Sequence, residues 1–116
     1  MANSFVQSKR ARDVEFTTNS SDRPLIVQFA SSKIDEFATA AQLVQPFADG
    51  VDLNCGCPQK WAAKEGVGAV MIKKPDVICE LIKETRRRVN YDPQFTVSAK
   101  IRIHEKIEYL FVMNRQ

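Results

Sequence analysis

The sequence is poor in the residues that build metal centres and disulfide scaffolds: one histidine, His104, and three cysteines, Cys55, Cys57 and Cys79. An odd cysteine count, with no apolar leader core in the first thirty residues, points away from a disulfide framework. It points to a reduced intracellular setting, the cytoplasm first and the nucleus second. Without secretion, the acceptor pattern Asn19-Ser20-Ser21 has no glycan chemistry behind it. A tetrahedral zinc site would need Cys79 and His104 beside Cys55 and Cys57. Cys79 falls between Ile78 and Leu81 on a helix face expected to be buried, so no metal is expected. Long hydrophobic runs are also missing. Ala69-Val70-Met71-Ile72 and Leu110-Phe111-Val112-Met113 are the longest, against about 18 residues for a bilayer crossing. No charge sign dominates: 17 Lys+Arg against 14 Asp+Glu leave a net charge of +3, which tolerates a nucleic-acid partner without arguing for one. With 116 residues, the chain is one domain's length and too short for a closed (βα)8 barrel of about 250.

What is present is an alternating pattern. Met1 to Arg23 is polar and mixed, with a short helix expected around Ser4 to Phe16. Pro24 to Ala30 reads as a buried strand with proline at its start. Ser31-Ser32 is the expected N-cap of the next helix, with Asp35 completing a capping box. Ile34, Phe37, Ala38, Ala41, Val44 and Ala48 recur at helical spacing, and Pro46 and Gly50 end that helix. Val51 to Asn54 is a second strand. All four glycines lie between Gly50 and Gly68, which marks this stretch as the place where the backbone needs unusual geometry. Pro75 opens a helix with Val77, Ile78, Leu81, Ile82 and Val89 inward. Asn90 to Pro93 make a turn, Thr96 to Ile103 is a third strand, and the tail to Gln116 is a short helix. Strand, helix, strand, helix, strand with long crossovers predicts α/β architecture with parallel pairing. Function in such folds gathers beyond the carboxyl ends of the strands, which here carry Gln28, Asn54 and Cys57, Lys100 and Arg102.

Asn54-Cys55-Gly56-Cys57-Pro58 is the sharpest motif. Its spacing leaves a buried inert pair and a reactive thiol both open. Gln28 interrupts an aliphatic strand, and a buried amide must bond to something, ordinarily a backbone group. In the third strand Ser98, Lys100 and Arg102 share one face, and Val97, Ala99, Ile101 and Ile103 the other. That face is either a solvated one or, with both faces covered, two inward cations awaiting an anionic or electron-rich ligand. Lys83-Glu84-Thr85-Arg86-Arg87-Arg88 reads as a solvated helix face rather than a phosphate patch. Glu80 has Lys83 or Arg87 within helical reach, and Glu84 has Arg88.

Asp52 to Gln59, followed by Glu65-Gly66-Val67-Gly68-Ala69, resembles the signature of the tRNA-dihydrouridine synthases. The likeness is strongest to the dihydrouridine synthase 4-like branch of eukaryotes. It extends upstream through Pro24 to Phe29 and downstream to Lys100-Ile101-Arg102-Ile103-His104, covering Ser4 to His104 in collinear order. The resemblance implies a flavin enzyme on a (βα)8 barrel, with this chain supplying about three parallel βα units of a partial TIM barrel. It implies that Cys57 is the catalytic acid, protonating C5 of uracil opposite a hydride delivered to C6. Asn54 would hold the uracil edge, Arg102 the substrate uridine or a tRNA phosphate, and Gln28 and Lys100 the FMN ring, which NADPH reduces. Cys55 would be a bystander. On the same resemblance, residues 105–116 diverge from the family. The first and later barrel strands, the phosphate-binding turns and the helical tRNA-binding domain are not among these residues. The chain then reads as a truncated fragment that alone neither holds FMN tightly nor turns over. The competing expectations are a non-catalytic α/β piece acting through its open sheet edge, and another FMN barrel oxidoreductase acting on a pyrimidine.

Overall fold

A computed structural model describes residues 1–89 and 92–102. The branched and aliphatic stretches become three strands: β1 (Ile26–Phe29), β2 (Gly50–Cys55) and β3 (Thr96–Ile101). They pair in parallel in the order β1-β2-β3. The register sets Gln28, Asp52 and Ser98 side by side on one rung, and Asn54 beside Lys100 on a rung nearer the carboxyl edge. Alternation puts Val51, Leu53, Cys55 and Val97 on the buried face, and Gln28, Asp52, Asn54, Ser98 and Lys100 on the other.

The buried face packs against the helical layer, where α3 (Ile34–Val44) and α5 (Pro75–Arg88) lie against each other. Ala38, Ala40 and Ala41 of α3 are fully buried. Their small side chains let neighbouring elements approach closely while Phe37 and Leu81 fill the core. Thr85 is equally buried and stays satisfied by donating to the Leu81 carbonyl at 2.7 Å. Pro75 opens α5 as expected, and Arg86, Arg87 and Arg88 close it, where cations complement the helix dipole. Among the described residues no helix is long and apolar enough to cross a membrane.

Several expectations change. The helix expected over Ser4 to Phe16 is two, α1 (Ala2–Gln7) and α2 (Lys9–Glu15), because Ser8 turns extended and accepts the Ala11 N–H at 3.1 Å as the cap of α2. Arg12 holds the junction, donating to the carbonyls of Phe5 and Val6 at 2.9 Å each. Ser31 does not cap α3: its hydroxyl accepts from the Lys33 N–H in the turn before, and the helix starts at Ile34. Strand β1 is half exposed rather than buried, with Ile26 at 48% exposure, because it is an edge strand with one face uncovered by described residues. A five-residue helix, α4 (Lys60–Lys64), and a 3-10 helix over Gly68–Lys73 fill a stretch in which no element was expected. Both are too short to leave a periodic signal. The Asn90 to Pro93 turn falls partly, and Ile103, His104 and the tail helix wholly, outside the described residues.

On α5 the expected pair of Glu84 with Arg88 forms, while Arg87 also pairs with Glu84 and not with Glu80. Glu84 accepts a two-pronged bond from Arg87 and one from Arg88, and Arg88 reaches across to Asp35 of α3 at 2.6 Å. Hydrogen bonds from Arg87, then Arg88, hold the Glu84 carboxyl down at about 2, against an ordinary 4.5. A carboxylate with a lowered folded-state pKa stabilises above its unfolded value and loses that contribution as pH falls toward its folded one. Urea midpoints of the wild type should therefore drop between pH 4.5 and 2, and Glu84→Gln should flatten the part of that slope owed to this carboxylate.

Candidate active site

The site begins with one amide. Asn54 ends the exposed face of β2, and its Oδ1 accepts the N–H groups of Gly56 at 3.0 Å and Cys57 at 3.1 Å. This turn ties the Cys55-Gly56-Cys57 loop back onto the strand end. Asn54 Nδ2 donates to Gln28 Oε1 at 3.1 Å, Gln28 Nε2 donates to Asp52 Oδ2 at 2.7 Å, and Ser98 Oγ donates to Asp52 Oδ1 at 2.8 Å. Four side chains from three strands thus form one network across the face. Gln28 is exposed and bonds to side chains, not to the backbone group its sequence context suggested. Parallel pairing brings Asp52 and Asn54 to the rungs where they meet it.

Beyond the network lies a cleft of about 370 Å3 lined by Gln28, Asn54, Cys57, Pro58, Lys100 and Arg102. All five residues singled out in the sequence meet there. A β-carbon on Gly56 would stand 3.6 Å from Arg102 Cγ, so the arginine stem passes over the loop. Lys100 and Arg102 are exposed and have no ion-pair partner among the described residues. The loop's other side is fixed by Ala69, whose N–H donates to the Cys57 carbonyl at 2.8 Å. A larger hollow of about 470 Å3, lined by Phe5, Arg12, Phe16, Leu43 and Phe47 among others, holds no thiol or lysine. The smaller cleft is the chemical candidate because a thiol, amide donors and cations converge there.

The two motif sulfurs separate sharply. Cys55 is fully buried on the core face. Burial, aided by the Asp52 carboxylate, pushes its thiol up to about 12. Cys79 is buried on α5, and desolvation raises its thiol as well. Cys57 is half-buried and lines the cleft. One of the three thiols should therefore react quickly with a small alkylating reagent at neutral pH. Peptide mapping should place that label on Cys57, with Cys55 and Cys79 labelled only on unfolding.

Sequence reasoning placed Ser98 on the face of Lys100 and Arg102 and Asp52 at the start of the motif, but gave neither a role in the site, although they are the hydroxyl and carboxylate at the centre of the network. The signal was available: Val51, Leu53 and Cys55 alternate with Asp52 and Asn54, as Val97 and Ala99 do with Ser98 and Lys100.

A parallel sheet with helices on its buried face, and a thiol, two amides and two cations gathered toward its carboxyl edge, has the architecture of a β/α barrel segment. The family model for dihydrouridine synthase (Dus) matches residues 1–115, and the chain belongs to that family. It is 50% identical over 108 residues to a human protein named as tRNA-dihydrouridine(20a/20b) synthase-like, covering 93% of this chain and 34% of that protein. A Saccharomyces cerevisiae tRNA-dihydrouridine(20a/20b) synthase is 32% identical over 108 residues, covering 93% of this chain and 29% of the yeast protein. A Schizosaccharomyces pombe protein of the same name is 37% identical over 103 residues, covering 89% of this chain and 31% of its own length. The chain spans about a third of the length of these curated relatives.

Proposed function

We propose that this chain is part of an enzyme that reduces uridine to 5,6-dihydrouridine in tRNA, with FMN as cofactor and NADPH as reductant, in the cytoplasm or nucleus. The observation that carries the reading is the convergence of Cys57 with Gln28, Asn54, Lys100 and Arg102 in one cleft, on a chain 50% identical to a named synthase-like protein. The donor set fits a planar, acceptor-rich ring. Gln28 and Asn54 each spend one amide N–H on the network and keep a second to offer. Lys100 adds an ammonium suited to a ring that gains negative charge on reduction.

FMN held in this cleft would supply the hydride for C6 of the uracil, with NADPH as its reductant. The chain's own residues supply the rest. Reducing the C5–C6 bond consumes one proton, and Cys57 is the thiol that lines the cleft and is placed to give it. Asn54 positions the uracil edge with its free N–H while its Oδ1 holds the Cys57 loop. Arg102 orients the uridine or a nearby phosphate, and Gln28 and Lys100 hold the FMN ring. The target base must leave its stack to reach them, at a cost of a few kcal/mol. Its transfer into a half-buried cleft offsets part of that cost.

The test is a graft: this segment in place of the matching 108 residues of the human relative, incubated with unmodified tRNA and NADPH. Nucleoside mass spectrometry should find dihydrouridine. A folded graft that retains FMN yet forms none would overturn the reading.

A further inference from the structure

Trp61 is the only tryptophan of the chain and lies 50% exposed beside Ala62, which is fully buried. Helix α4 is therefore anchored, with Val67 N–H donating to the Ala62 carbonyl at 2.9 Å and Ala63 N–H to the Gln59 carbonyl at 3.2 Å. The indole N–H is already used, donating to Gln59 Oε1. What this residue offers to solvent is aromatic surface, not a donor. Leaving half of so large an apolar side chain in water forgoes burial energy that the fold does not recover locally.

The surroundings select the occupant. Lys60 and Lys64 stand four residues apart on one face of α4, both exposed. Like Lys100 and Arg102, they have no ion-pair partner among the described residues. Pro58 lines the cleft, and four peptide links from Cys57 to Trp61 span at most about 15 Å. Exposed lysines are depleted from protein–protein interfaces. Lysines beside a bare aromatic, next to a cleft for an extruded base, match an unpaired nucleic-acid strand instead.

We propose that Trp61 is a stacking platform for an unpaired nucleobase next to the target uridine, with Lys60 and Lys64 holding the flanking phosphates. The proposal rests on the reading that the chain acts on tRNA. It adds a requirement that the target's neighbour also be unstacked, which would make α4 a determinant of which uridines are accepted.

The single tryptophan makes the test direct. A short, end-labelled oligouridylate is titrated with the whole chain while label anisotropy and tryptophan emission are read together. Emission should be quenched in step with the anisotropy rise, and a duplex RNA of equal length should quench little. Trp61→Ala should weaken oligouridylate binding about tenfold, and Trp61→Tyr should retain most of it. Circular dichroism verifies the fold of each variant, and the wild-type quench needs no substitution. A rise in anisotropy with unchanged emission, or wild-type affinity in folded Trp61→Ala, overturns the stacking platform alone. Absence of any anisotropy rise also overturns the platform, whereas the tRNA reading beneath it stands or falls on dihydrouridine formation by the graft.

Discussion

Cys57→Ala in the graft is expected to slow dihydrouridine formation by about 10²–10⁴-fold, the usual range for loss of a positioned general acid. Reduction of FMN by NADPH should be unaffected, because that half-reaction requires no proton from the cleft side of the uracil. Cys55→Ala is the control that makes the result specific. Cys55 lies two residues away on the core face, fully buried, with its thiol held protonated up to about 12. Removing it leaves a small cavity and costs stability, about 1–2 kcal/mol. Its activity per folded molecule should remain near wild type. Equal losses in the two variants would mean that the wrong sulfur carries the chemistry.

The second large effect is expected from Gly68→Ala. Gly68 has φ +75°, and a β-carbon there would stand 2.6 Å from the Cys57 carbonyl oxygen and 3.1 Å from Cys57 Cβ. The first of these is backbone, so no side-chain rotation relieves it, and the Ala69 N–H bond to the same carbonyl must give way. Steric conflict and left-handed strain together should cost roughly 2–4 kcal/mol, and the Cys57 loop should shift with them. Gly66 separates the two causes. Its φ is +74°, but the nearest atom to an added β-carbon is Ser32 Oγ at 3.9 Å. Gly66→Ala should therefore cost about 1–2 kcal/mol of strain and leave the activity of the graft near wild type. Urea titration measures the first quantity and nucleoside mass spectrometry the second.

The parallel α/β arrangement was legible because strand and helix periods alternate cleanly between Leu25 and Ile101, and long crossovers forbid hairpins. The site was legible for a different reason. Polar residues interrupt aliphatic strands at Gln28, Asn54 and Lys100, and the parallel register sets strand ends together. What escaped were short-range choices between near-equal alternatives. Ser8, not Ser31, became a cap, and Arg87 joined the expected Arg88 on Glu84 instead of pairing with Glu80. Each such choice is worth about a kcal/mol or less and depends on tertiary placement. The exposure of Gln28 likewise depended on which face of the sheet the helices cover, which no local pattern records.

The claim that a fixed thiol delivers the proton has a stereochemical consequence. Dihydrouridine formed by the graft in heavy water, digested to nucleosides and examined by NMR, reveals the relative configuration of the two added hydrons at C5 and C6. A Cys57 proton donor predicts one diastereomer, with the two additions on opposite faces of the ring. A mixture at C5, or addition to the same face, would contradict it.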